Sequence, residues 1–147
     1  MDPAEEFRTI TMKKFAEAEL AIHGGDPEPR IALWSRRDPV TLLGAEVPSR
    51  SGWAELEPVF RWLGDRFSGV TDYRMDLIAC QAIGDMGYTV AFEHTTTQVY
   101  GETRQYTLRA THVWRREDGE WKIVHRHGDS PPADQYASQG SMIMSGT

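Results

Sequence analysis

The stretch RREDGEWK, residues 115–122, constrains the chain most, because it sets an Asp118-Gly119 pair between two runs of strand-forming residues. A two-residue hairpin turn of type I′ needs positive φ at both central positions, and Asp-Gly supplies it at low cost. Such a turn dictates a register. Glu117 faces Glu120, Arg116 faces Trp121, Trp114 faces Ile123, His112 faces His125 and Ala110 faces His127. Side chains alternate along strands, so His112, His125 and His127 are expected on one face beside Trp114 and Ile123. Opposed Cβ atoms lie ~5 Å apart, which would make the three imidazoles one patch.

Three readings of that patch stay open. Histidines on a half-buried sheet face are commonly packed and hydrogen-bonded. They can also line a small-molecule pocket. As a metal set, three neutral imidazoles are chemically legitimate, yet the chain has no HExxH motif and no paired cysteine spacing. No metal and no cofactor are therefore expected.

The rest of the chain reads as helices followed by strands. PAEEFRTITMKKFAEAELAIH is rich in helix formers, and Gly24-Gly25 should stop it. PEPRIALW begins on prolines suited to a first helical turn. PVTLLGA reads as a short strand. Ser51 is the expected N-cap of a third helix through GWAELEPVFRWLGDRFSG, which Pro58 should kink or delay. From residue 70 onward YRMDLIACQAI, GYTVAFEHTTTQVY, RQYTLRATHVWRR and EWKIVHRH carry β-branched and aromatic residues between turn signals. The expectation is α+β, with three N-terminal helices packed in a strongly curved, mainly antiparallel sheet. One domain should span residues 1–130, followed by a loosely held arm at 131–147.

Composition narrows the partners. A net charge of −6 argues against nucleic acid and against an anionic membrane surface. No stretch reaches the ~20 apolar residues of a membrane helix, and MDPAEEF lacks the pattern of a secretory signal. The single cysteine, Cys80, lies in the apolar run IACQAI and fits a reducing, cytoplasmic setting.

With DPVTLLGA, the GWAELEPVF helix and HVWRREDGEWKIVHRH in place, the chain resembles the SnoaL-like branch of the nuclear transport factor 2-like (cystatin-like cone) superfamily. The final hairpin is especially similar to the association domain of calcium/calmodulin-dependent kinase II. The resemblance covers about residues 4 to 130. It implies a cone open at one end into a pocket, and homodimers formed through the outer sheet face. The fold hosts isomerases, dehydratases, cyclases and plain assembly modules, so fold alone does not give function. Steroid-isomerase chemistry needs a carboxylate base, a tyrosine and a protonated acid. By resemblance the base would fall at Leu42 or Leu43 and the tyrosine near Ala18, and Arg104 to Trp114 holds no acid, so that mechanism is not expected. Two basic pocket positions of the kinase domain match His94 and His112. The expected ligand pocket therefore comprises Trp34, Trp53, His94, His112 and His127, with no catalytic residue assigned. Glu93, alternating with His94, is expected to face solvent or a second subunit.

Overall fold

The computed structural model describes residues 2–133. Helix α1 (Pro3–His23) starts where the Asp2 side chain accepts from the Glu5 amide at 2.9 Å, and it ends at Gly24. Its buried stripe is Phe7, Thr11, Phe15, Ala18, Glu19, Ile22 and His23. That stripe follows the helical repeat, but three of its members are polar. Helix α2 (Glu28–Leu33) is short. The strand expected next is three residues, β1 (Thr41–Leu43), and β2 (Arg50–Ser51) pairs antiparallel with it.

Helix α3 (Trp53–Arg66) is capped by Gly52 rather than by Ser51. The Trp53 amide donates instead to Asp38 Oδ1 at 3.0 Å, so the cap comes from the loop before β1. Pro58 neither delays nor ends the helix, which runs through it. The carbonyl it leaves without a partner, that of Ala54, belongs to the exposed first turn, where water can satisfy it.

Four long strands complete the fold: β3 (Phe67–Ile83), β4 (Met86–Val99), β5 (Glu102–Glu117) and β6 (Glu120–Asp129). The sheet order is β2-β1-β6-β5-β4-β3, antiparallel throughout except where β1 runs parallel to β6. The helices lie against its inner face. There Phe7, Phe15, Leu56, Phe60, Trp34, Trp114 and Ile123 form the core. The α+β cone expected from the sequence is the fold observed. Of the expected C-terminal arm, residues 134–147 lie outside the described residues. No helix among the described residues is long and apolar enough to cross a membrane.

The Asp118-Gly119 turn forms with positive φ at both residues, 52° and 82°. The pairs next to it are those expected, from Glu117–Glu120 to Trp114–Ile123. Beyond them the register shifts. Trp114 opposes Ile123 but Val113 opposes His125, so Val124 is an extra residue and the strand bulges. Ile123 and Val124 are both buried. Two successive apolar side chains thus enter the core, and every later residue of β6 changes face. His112 now pairs with Arg126, while His125 and His127 pair with Val113 and Thr111. The single patch of three histidines does not form.

Gly87 shows how closely α1 lies on the sheet. It faces inward opposite Trp114, and a Cβ placed there would lie 2.7 Å from Phe7 Cζ and 3.1 Å from the Gln81 carbonyl oxygen. Gly87→Ala is expected to cost about 1–3 kcal/mol through overpacking, read as a lower urea midpoint at unchanged slope.

Candidate functional site

The bulge decides what the cone contains. Once Arg126 turns inward, its Nη1 and Nη2 donate to the Glu93 carboxylate on β4 at 2.8 and 3.0 Å. Glu93 therefore points inward and is 2% exposed, contrary to the solvent-facing position expected for it. Arg126 Nη1 also donates to His112 Nε2 at 3.0 Å. Since arginine only donates, that nitrogen accepts, and the His112 proton sits on Nδ1. Burial, then the Arg126 charge, hold the His112 pKa well below that of a free imidazole.

A second pair lies beside the first. Glu19 of α1 receives two hydrogen bonds from Arg30 of α2, at 2.6 and 2.7 Å. Burial opposes ionisation of Glu19, but the Arg30 and Arg126 charges outweigh it and its pKa falls below the usual value. Two carboxylates and two guanidiniums thus neutralise one another inside the cone. A buried charge survives only on such terms.

One helical turn beyond Glu19 comes His23. Its Nδ1 lies 2.8 Å from the Glu19 carbonyl oxygen, which can only accept, so Nδ1 carries the proton. Nε2 then accepts from the Tyr106 hydroxyl of β5, 2.5 Å away. Burial first, and Arg30 against the opposing pull of Glu19, lowers the His23 pKa, so the ring is neutral at pH 7. Burial pushes the Tyr106 phenol well above its usual range, so it keeps its proton. The Tyr73 hydroxyl, also interior, has no hydrogen-bond partner among the described residues.

These groups converge on a cavity of ≈ 290 Å³. Glu19, His23, Arg30, Glu93, Tyr106 and Arg126 form its polar floor. Leu42, Val47, Leu63, Phe67, Val99 and Leu108 give apolar walls, and Arg66 and Arg104 also border it. Arg66 is tied to Glu46 of the β1–β2 loop, which borders the same space. An apolar chamber with a few convergent polar groups is the usual form of a small-molecule site.

None of the five residues expected to line the pocket is on this wall. Trp34 is 1% exposed and packs on Phe60 in the core. Trp53 lies under the Arg36 guanidinium, whose Cζ is 4.6 Å from the ring centroid. His112 is inside but behind Arg126, edge-on to Phe15. His94 lies on the outer face, bonded to Asp76 Oδ2 at 2.8 Å and Thr107 Oγ1 at 3.0 Å. His127 is exposed on that face, because of the bulge. Glu19, His23 and Arg30 escape an apolar-stripe reading because they are polar. The signal available was spacing, since Glu19 and His23 continue the four-residue steps of Phe7, Thr11 and Phe15.

A curved sheet closed over three helices, with a cavity at its centre, is the architecture of the nuclear transport factor 2-like and cystatin-like proteins. A family model described as SnoaL-like domain matches residues 13–134, and the chain belongs to that family. A candidate dehydratase of the nuclear transport factor 2-like family from Streptomyces avermitilis is 20% identical at a TM-score of 0.71, over 90% of this chain and 100% of the other. A candidate calcium/calmodulin-dependent kinase II association domain from Thiobacillus denitrificans is 19% identical at 0.66, over 80% and 92%. A cystatin-like protein of unknown function from Nostoc punctiforme is 17% identical at 0.67, over 90% and 97%. At these identities the likeness is one of fold. No curated protein matches the chain.

Two outcomes follow from the interior charges. Arg126→Met leaves Glu93 buried without its partner and is expected to cost about 3–5 kcal/mol. Adding Glu93→Gln should restore part of that, measured by urea denaturation. His23 and His112 have folded pKa values below the 6.5 of a free imidazole. Their contribution to stability is complete above pH 6.5 and is lost as pH falls below it, because the unfolded chain takes up protons first. The urea midpoint should therefore drop between pH 7.5 and pH 5, and His112→Gln should make that drop shallower.

Proposed function

We propose that the protein binds a small carbonyl-bearing molecule inside the cone and acts on it without a cofactor, by isomerisation, dehydration or cyclisation. The observation that carries this reading is the Tyr106–His23 hydrogen bond at the floor of a cavity of ≈ 290 Å³. That volume suits a compound of about one or two rings, at the lower end of small-molecule sites. A substrate carbonyl that takes over the Tyr106 hydroxyl hydrogen bond would release His23 Nε2, and a neutral imidazole so released can accept a proton at pH 7. The Glu19 carboxylate, 3.6 Å from His23 Nδ1, would stabilise the imidazolium that results. A protonated phenol can donate to a carbonyl oxygen, and the Arg30 and Arg126 guanidiniums beside it favour the negative charge an enolate would carry. In this reading His23 replaces the histidines expected from the hairpin. The carboxylates of the floor come from α1 and β4, while Leu42, one of the two positions where a steroid-isomerase base would fall, is part of the apolar wall. A lone thiol at Cys80 supports a cytoplasmic location.

A second reading, an assembly module, has its own support on the outer face. Ile78, Ile83, Met86 and Tyr88 of the β3–β4 hairpin leave large apolar surfaces in solvent, Ile83 at 75% exposure. We propose that a second copy covers them. If so, Ile78→Lys with Ile83→Lys converts a dimer to a monomer in light scattering; a wild-type monomer at high concentration removes the idea.

The catalytic reading is tested by deuterium exchange at carbon α to the carbonyl of cyclohexanone and cyclohex-2-enone, followed by proton NMR. Wild-type protein should accelerate exchange, and His23→Gln or Tyr106→Phe should lose about 10²–10⁴-fold of the acceleration. Folded variants as active as wild type would exclude the pair from the chemistry.

A further inference from the structure

The bulge that empties the interior of two histidines sets them side by side outside. His125 and His127 are two residues apart on one face of β6, opposite Val113 and Thr111. Residues at that spacing point the same way, with Cα atoms ~7 Å apart, a span two imidazoles can close around one ion. Burial first, and then the neighbouring His127, lower the His125 pKa. His125 is also held in orientation. Its Nδ1 lies 2.7 Å from Thr41 Oγ1 of the neighbouring β1, which leaves Nε2 free. Outer groups that fix one ring nitrogen and leave the other free are the usual support of a ligating histidine. His127 is exposed and makes no hydrogen bond among the described residues.

We propose that His125 and His127 form a two-imidazole chelate for a divalent late transition-metal ion, on the sheet face opposite the cavity. The ligand class follows from the donors. Neutral imidazole suits Cu2+, Ni2+ and Zn2+, whereas Mg2+ and Ca2+ require oxygen. No group of three histidine, cysteine, aspartate or glutamate side chains converges among the described residues. Asp129, next on the same face, is held in two hydrogen bonds by Arg109, at 2.7 and 2.9 Å. Water therefore fills the remaining positions, and the order of affinity should be that of the free ions, Cu2+ above Ni2+ and Zn2+. The other three histidines, His23, His94 and His112, are each 4% exposed and cannot compete.

The test is titration of the untagged full chain with Cu2+, and separately Ni2+, followed by calorimetry and by nitrogen hyperfine structure in the Cu2+ electron paramagnetic resonance spectrum. One ion per chain is expected, with two imidazole nitrogens on Cu2+. His125→Gln and His127→Gln should each weaken Ni2+ binding at least tenfold, Thr41→Val should weaken it less, and His94→Gln should leave it unchanged. His127 is exposed and His125 half-buried, and circular dichroism checks that both variants fold. Undiminished affinity in either folded single variant overturns the proposal, as does a spectrum with one coordinated imidazole or none.

Discussion

The interior of this cone depends on a single extra residue in β6. If Trp114–Ile123 pairing continued without a bulge, Val124 and Arg126 would point to solvent and His125 and His127 to the core. Glu93 would then face a wall of imidazole with no permanent positive charge beside it. A buried carboxylate so placed would either take up a proton or destabilise the fold by several kcal/mol. Because Ile123 and Val124 both turn inward, Arg126 reaches Glu93 and the second pair, Glu19–Arg30, lies within its field. The polar floor of the cavity is thus a consequence of strand register.

What was legible in the sequence follows from how local each signal is. The Asp118-Gly119 turn needs only its own two residues, and it formed as read, with the nearest pairs in the expected register. Gly24-Gly25 ended α1 for the same reason. The bulge depends on what lies across the strand. In WKIVHRH, alternation breaks at Ile123-Val124, where two apolar residues stand together, and either could have been the outward one. Only the core, which takes both, decides. The cap of α3 likewise comes from Asp38, fourteen residues upstream of Gly52, which local reading assigned to Ser51. The missed site residues have a different cause. Glu19, His23 and Arg30 are polar, so a search for apolar stripes passes over them, although each lies on a helix face turned to the core.

Buried ion pairs are poor sources of stability, since apolar residues of equal volume commonly do as well or better. Four charges and two histidines inside a domain of this size are therefore better explained by what they do to the cavity. Arg30 and Arg126 hold the Glu19 carboxyl below its usual range against the effect of burial, and burial, aided by the same charges, keeps His23 and His112 unprotonated. A cavity whose histidine stays neutral beside a protonated tyrosine has an acceptor and a donor for protons at pH 7. An apolar core of the same shape would have neither.

The two faces of the sheet place the same side chain in opposite surroundings. Inside, an imidazole is fixed by neighbours that can only donate or only accept: Arg126 on His112, the Glu19 carbonyl on His23. Each ring is thereby confined to one tautomer, and its charge is suppressed by burial. Outside, His127 is exposed to solvent and His125 spends one nitrogen on Thr41, so each keeps a ring nitrogen without a partner among the described residues. Shifting one residue across the strand is enough to move a histidine from the first condition to the second. Position along the chain therefore does not tell a buried histidine locked in one tautomer from one with a ring nitrogen left unpaired; the partner on each ring nitrogen does.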